Sequence, residues 1–201
     1  MNQVEKIFSE NRSASSFCKS YVTYLGSLLQ TLDFDAIESF VNDILKAREE
    51  GKRVIFLGNG GSAATASHFA NDIGIGTREY DKPFKAMSFT DNNAIITALG
   101  NDNGYEEIFK KQLQVYMENG DVVVVISASG NSENLVRAVD YAKSKGNKTV
   151  GLLGFDGGKL KDMCDSSIVV TTAKGEYGPV EDVHMVLDHM IGNYLYQLIR
   201  N

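Results

Sequence analysis

The sequence predicts a three-layer α/β/α fold, with a five-stranded parallel sheet between helical layers and extra helices at the N-terminus. Three observations predict it. From Arg53 onward, five short apolar runs, "RVIFLG", "KAMSF", "DVVVVIS", "KTVGLLG" and "SSIVVT", alternate with stretches of helical periodicity. The run "DVVVVIS" is nearly continuous in Val and Ile, as a strand buried on both faces requires. The first 50 residues carry no strand signal, and apolar residues there recur at helical spacing.

Taken in order, residues 3–31 and 34–50 read as two helices, the second with Phe34, Ile37, Val41, Ile44 and Leu45 on one face. Residues 1–50 are expected to serve oligomer packing and residues 51–201 to form the α/β unit, all within one structural domain. The last segment, "VEDVHMVLDHMIGNYLYQLIR", spaces Val183, Val186, Leu187, Met190, Tyr194, Leu195 and Leu198 as a long amphipathic helix. With the N-terminal pair it offers more apolar face than one five-stranded sheet needs, so a homo-oligomer is expected.

Composition narrows the function classes. The chain of 201 residues can bury a core without metal or disulfide staples, and 43% hydrophobic residues with two prolines exclude a mostly disordered chain. A formal charge of −6 and the lack of a basic stripe exclude a nucleic-acid footprint. Cys18 and Cys164 match no ligand spacing and read as free thiols of a reducing compartment. The N-terminus lacks a basic start followed by an apolar run, and no segment approaches about 20 uninterrupted apolar residues. A cytoplasmic protein without membrane partners is expected.

Two strand-to-helix corners carry phosphate-binding chemistry. One is Gly58-Asn59-Gly60-Gly61-Ser62 after "RVIFL"; the other is Ser127-Ala128-Ser129-Gly130-Asn131-Ser132 after "DVVVVI". Glycines let the backbone approach an anion, helix N-termini present free N–H groups, and Ser127, Ser129 and Ser132 can each donate a hydrogen bond. Ordinary turn and capping chemistry would use the same residue types. Ala63 stands where a dinucleotide fingerprint needs its third glycine, and no P-loop occurs. A small phosphorylated ligand is therefore preferred to a dinucleotide.

The chain also places acid–base and metal candidates on helices. His68 and Asp72 lie four residues apart and share a helical face. On the last helix the candidates are Glu181, His184, Asp188 and His189, with His184 and Asp188 forming an alternative i, i+4 pair. Glu181 and His189 are eight residues apart, about 12 Å along a straight helix, so one ion would stretch both side chains.

The motifs "GNGGSAATASHFAND", "ALGNDNGY", "ISASGNSENLVRAVDYAKSKG" and "GLLGFDGGKLKDMCD", in this order, resemble the sugar isomerase (SIS) domain family over nearly the whole chain, and within it the phosphoheptose isomerases. That resemblance implies a flavodoxin-like sheet, a homotetramer, and conversion of sedoheptulose 7-phosphate to D-glycero-D-manno-heptose 7-phosphate for bacterial lipopolysaccharide or capsule. It implies that Ser127, Ser129 and Ser132 hold the sugar phosphate, with Asn59, Gly60, Gly61, Ser62, Asp102, Ala128 and Glu181 as further substrate contacts. It also implies Asp72 and His189 as the acid–base pair, and zinc held by His68, Asp72, Glu181 and His189. Asp72 stands where the family has glutamate and Glu181 where it has glutamine; the added anion is expected to strengthen the hold on a divalent cation. Gly178 and Pro179 stand where the family often has Asp and Arg. A second reading is a non-catalytic SIS protein, like the adaptors of this fold that bind the replication initiator. Those typically lack the first-helix carboxylate, so Asp72 counts against it. A third reading is an isomerase or sensor for another ketose phosphate, since a phosphate loop does not count carbons.

Overall fold

The computed structural model describes residues 1–201. The N-terminal region holds α1 (Gln3–Glu10), α2 (Ala14–Gln30) and α3 (Phe34–Glu49). The first predicted helix is thus two. The Ser13 side chain accepts from Ser16 N–H and starts α2 anew, while Asn2 and Glu5 form a capping box on α1. Local capping outcompetes the continuous apolar spacing that suggested one helix.

The sheet follows as β1 (Arg53–Gly58), β2 (Lys85–Ser88), β3 (Val122–Ser127), β4 (Lys148–Gly154) and β5 (Ser166–Val170). All pairings are parallel and the strand order is β2-β1-β3-β4-β5, the flavodoxin-like arrangement. Between the strands run α4 (Gly61–Asn71), α5 (Asn93–Asn103), α6 (Ile108–Tyr116), α7 (Glu133–Ser144) and α8 (Gly158–Met163), and the chain finishes on α9 (Tyr177–Leu198).

Alternation along each strand divides the core into two layers. Val54, Phe56, Val124, Ile126, Leu152 and Ile168 meet α3, α4 and α9 on one face. Ile55, Leu57, Val123, Val125 and Leu153 meet α6, α7 and α8 on the other. Every residue of β3 is buried, which is why its sequence is an unbroken apolar run.

A buried carboxylate ties the N-terminal helices to the start of α9. Glu176 accepts from Val4 N–H at 3.0 Å, from the Tyr24 hydroxyl at 2.9 Å and from Ala173 N–H at 3.2 Å. No helix is long and apolar enough to cross a membrane.

Candidate active site

In a sheet of this order the connections leaving β1 and β3 depart to opposite faces, opening a crevice beyond their carboxyl ends. Both predicted corners lie there. After β1 the chain turns at Gly60, whose φ of +53° is open to glycine, and enters α4 at Gly61. After β3 it turns through Ser127–Ser132 into α7.

Asn59, Ser62, Ser127, Ala128, Ser129, Ser132 and Glu181 line one cavity of about 190 Å³, together with Ile126 and Tyr177. The hydroxyls are set for an anion. Ser127 Oγ accepts from Gly130 N–H at 3.0 Å and Ser129 Oγ from Asn131 N–H at 3.3 Å, so each keeps its own O–H to donate. Ser132 caps α7 without a side-chain hydrogen bond, which leaves its hydroxyl free.

Asn59 bridges the two corners. Its amide pairs reciprocally with buried Asn134 at 3.0 and 2.9 Å, and its Oδ1 also accepts from the Tyr105 hydroxyl at 2.8 Å. Asn134 and Tyr105 were not foreseen from sequence. Asn134 sits in the first turn of α7, and only its burial reveals that it fixes Asn59. Asp102 is not brought to this cavity: it lies exposed near the end of α5, its carboxylate accepting from the Asn101 side chain at 2.8 Å.

The second part of the site lies between α4 and α9, which run side by side in the same direction with an equal stagger. Glu181 faces Gly61, where an added Cβ would stand 2.8 Å from the carboxylate; Asp188 faces His68; Gly192 faces Asp72. Each pair is 120 residues apart, so one turn of α4 reads against the matching turn of α9.

Ligand atoms of His68, Asp72, Asp188 and His189 all lie within 4.8 Å of one another. His68 Nε2 is 3.5 Å from Asp72 Oδ2 and 4.0 Å from Asp188 Oδ2, and the rings of His68 and His189 meet edge-on with centroids 5.2 Å apart. Asp72 opens a π-helical turn, Asp72–Gly76, which widens the end of α4 beside Gly192. Burial, and after it the neighbouring Asp72 carboxylate, pushes the Asp188 carboxyl up to about 7.

Three members of the expected metal set, His68, Asp72 and His189, lie together, and Glu181 lies apart from them. Glu181 sits at the amino end of α4 beside the serines, seven residues or about 10 Å along α9 from the level of Asp188. Asp188, paired in the sequence reading with His184, joins the cluster instead. Two imidazoles and two carboxylates form a donor set that suits a divalent ion such as zinc.

His184 belongs to the core. It is 1% exposed, and its Nε2 lies 3.2 Å from Leu153 O. Burial holds its imidazole down to about 4, below the unfolded value near 6.5, so the unfolded chain binds a proton there at a pH where the native protein does not. Stability is expected to fall as pH drops from about 6.5 toward 4, by about 3 kcal/mol from this group. Urea unfolding of wild type and His184→Gln at pH 7 and pH 4.5 checks this. Equal losses in both proteins would mean that the imidazole is not the cause.

Comparison with known proteins agrees with this geometry. Residues 16–154 match the SIS domain family. A phosphoheptose isomerase of a Nitratiruptor species is 37% identical over 147 residues, covering 73% of this chain and 78% of the relative. The solved phosphoheptose isomerase of Neisseria gonorrhoeae superposes with a TM-score of 0.79 at 28% identity, over 92% of this chain and 96% of that one. That of Francisella tularensis gives 0.79 at 27% identity, over 98% and 100%. The sequence match and the superposition over nearly the full length converge: the chain belongs to the SIS domain family and, within it, to the phosphoheptose isomerases.

Proposed function

We propose that the protein isomerises sedoheptulose 7-phosphate to D-glycero-D-manno-heptose 7-phosphate, supplying heptose for a bacterial surface polysaccharide. The observation that carries this is the distance between the two halves of the site. The serine cradle lies at the amino end of α4, and the His/Asp cluster lies about 10 Å further along that helix. A long sugar phosphate spans that gap when extended; a triose phosphate does not.

In this reading Ser127, Ser129 and Ser132 hold the phosphate. The Asp72 carboxylate removes a proton from carbon 1 of the ketose and returns one to carbon 2, through an enediol. The His189 imidazole donates a proton to the carbonyl oxygen at carbon 2 and accepts the one leaving the hydroxyl at carbon 1. His68, Asp72 and His189 would hold zinc, which when bound polarises those two oxygens. Asp102 is assigned to the sugar hydroxyls by resemblance alone. Incubating the protein with five-, six- and seven-carbon ketose phosphates and following aldose by NMR tests the reading; turnover of shorter ketoses but not the heptulose would overturn it.

Ser129→Ala is expected to weaken substrate binding by roughly 10- to 100-fold, the loss of one charge-assisted hydrogen bond of about 1.5–3 kcal/mol. Calorimetry with substrate checks it, and an unchanged affinity would remove this loop from the site.

The assembly is read as a cytoplasmic homotetramer. Phe34, Met190 and Tyr194 are exposed, and with Ile37, Val41 and Ile191 they line a groove of about 330 Å³ between α3 and α9. An apolar face of this kind suits a second copy of the chain. The mass expected from light scattering at micromolar concentration is four times 22.0 kDa, and a monomer would sink the assignment. Cys18 and Cys164 are unpaired, as a reducing compartment favours.

A further inference from the structure

Asp188 is the most costly residue of the site to leave as it stands. Its side chain has no exposed surface, and neither Oδ1 nor Oδ2 has a hydrogen-bond partner. No lysine or arginine pairs with it; the nearest candidate counter-charge is His68 Nε2 at 4.0 Å, and Asp72 adds a second carboxylate to the same space. Buried carboxylates persist when paired or when bound to a metal, and a like charge beside one increases the penalty. The side chain points at three groups that are all metal-ligand types.

Glu181 has no such need. It is partly exposed, and it lies at the amino end of α4, where helix N–H groups favour a negative charge. Within one chain, the parallel run of α4 and α9 places it about two turns from the level of His68.

We propose that Asp188 is the fourth protein ligand of a divalent cation bound by His68, Asp72 and His189, and that Glu181 is not a ligand. The location rests on reading this cluster as the isomerase centre, but the ligand set does not depend on what the centre turns over. Two carboxylates neutralise a divalent ion, so binding removes the repulsion between Asp72 and Asp188 as well as filling the site. Ion binding and fold stability are therefore coupled through Asp188.

The test uses full-length protein stripped with a chelator, then titrated with zinc chloride by calorimetry and melted with and without zinc. Asp188→Asn keeps the shape and removes the charge. It is expected to weaken zinc by roughly tenfold or more, to melt higher than wild type without metal, and to gain less from added zinc. Glu181→Gln is expected to bind zinc as wild type does. Should Asp188→Asn fail to fold, Asp188→Glu, which displaces the oxygens by one methylene, carries the same expectation of weakened zinc. Wild-type affinity in the Asp188 variants, or a comparable loss in Glu181→Gln, overturns the proposal. Heptulose turnover by the wild type is scored separately. An active wild type with unchanged zinc binding in Asp188→Asn sinks only the ligand assignment, and a wild type that turns over no heptulose but loses zinc through Asp188→Asn sinks only the isomerase reading.

Discussion

Asp72→Asn is expected to lower kcat by roughly 1,000-fold while leaving fold and substrate affinity close to wild type. The carboxylate is half-buried at the first residue of the π turn, 3.5 Å from His68, and an amide of the same shape fills the space without being able to take a proton from carbon. In the proposed reading the phosphate lies about 10 Å away, on hydroxyls that the substitution does not touch. His189→Ala is expected to match it, because His189 is exposed and contributes no core packing. His184→Ala gives the contrasting pattern: it opens the core beside Leu153 and lowers stability with little effect on the chemical step. NMR turnover together with calorimetric substrate binding separates the cases. An Asp72→Asn enzyme with a tenth or more of wild-type kcat would show that another group is the carbon base.

Gly130→Ala is expected to destabilise the protein by about 3 to 5 kcal/mol and to lower its melting temperature by roughly 10 °C. Gly130 has φ +62°, and a Cβ there would stand 1.9 Å from the Gly157 carbonyl oxygen. That neighbour is backbone and cannot rotate aside. The same residue accepts Leu160 N–H at 3.0 Å, so the serine loop and the β4–α8 loop are joined at this point. Relief of the clash would move Ser127 and Ser129 with it, and substrate affinity should fall together with stability. Thermal melts check the first effect; a variant melting within about two degrees of wild type would mean that the loops are not locked here.

The sheet was legible because parallel strands buried on both faces leave nothing but apolar runs, as in "VVVVI" of β3. The serine cradle was legible because it is local: a few consecutive residues set its geometry. The break before Ser13 was not, since helical periodicity continues across it and only the hydroxyl cap interrupts the helix. His184 could have been placed from sequence, since it falls on the stripe of Val180, Val183, Leu187, Ile191 and Leu195 that faces the core. That Asp188 lies beside His68 while Glu181 lies beside Gly61 could not. Both lie on one face of α9, and choosing between them needs the stagger of α9 against α4, which depends on the whole sheet lying between the two segments of chain. The Asn59–Asn134 pair was hidden for the same reason, with 75 residues separating its members.

That stagger has a hereditary consequence. Because Gly61 meets Glu181, His68 meets Asp188 and Asp72 meets Gly192, a mutation accepted on this face of α4 changes what selection permits 120 positions later. Asp72 and Asp188 stand one turn apart across this seam, so the two acids are expected to be inherited together. Lineages that retain the longer glutamate at position 72 are expected to lack the acid at 188, and the two helices drift as a coupled pair while their solvent-facing residues vary independently.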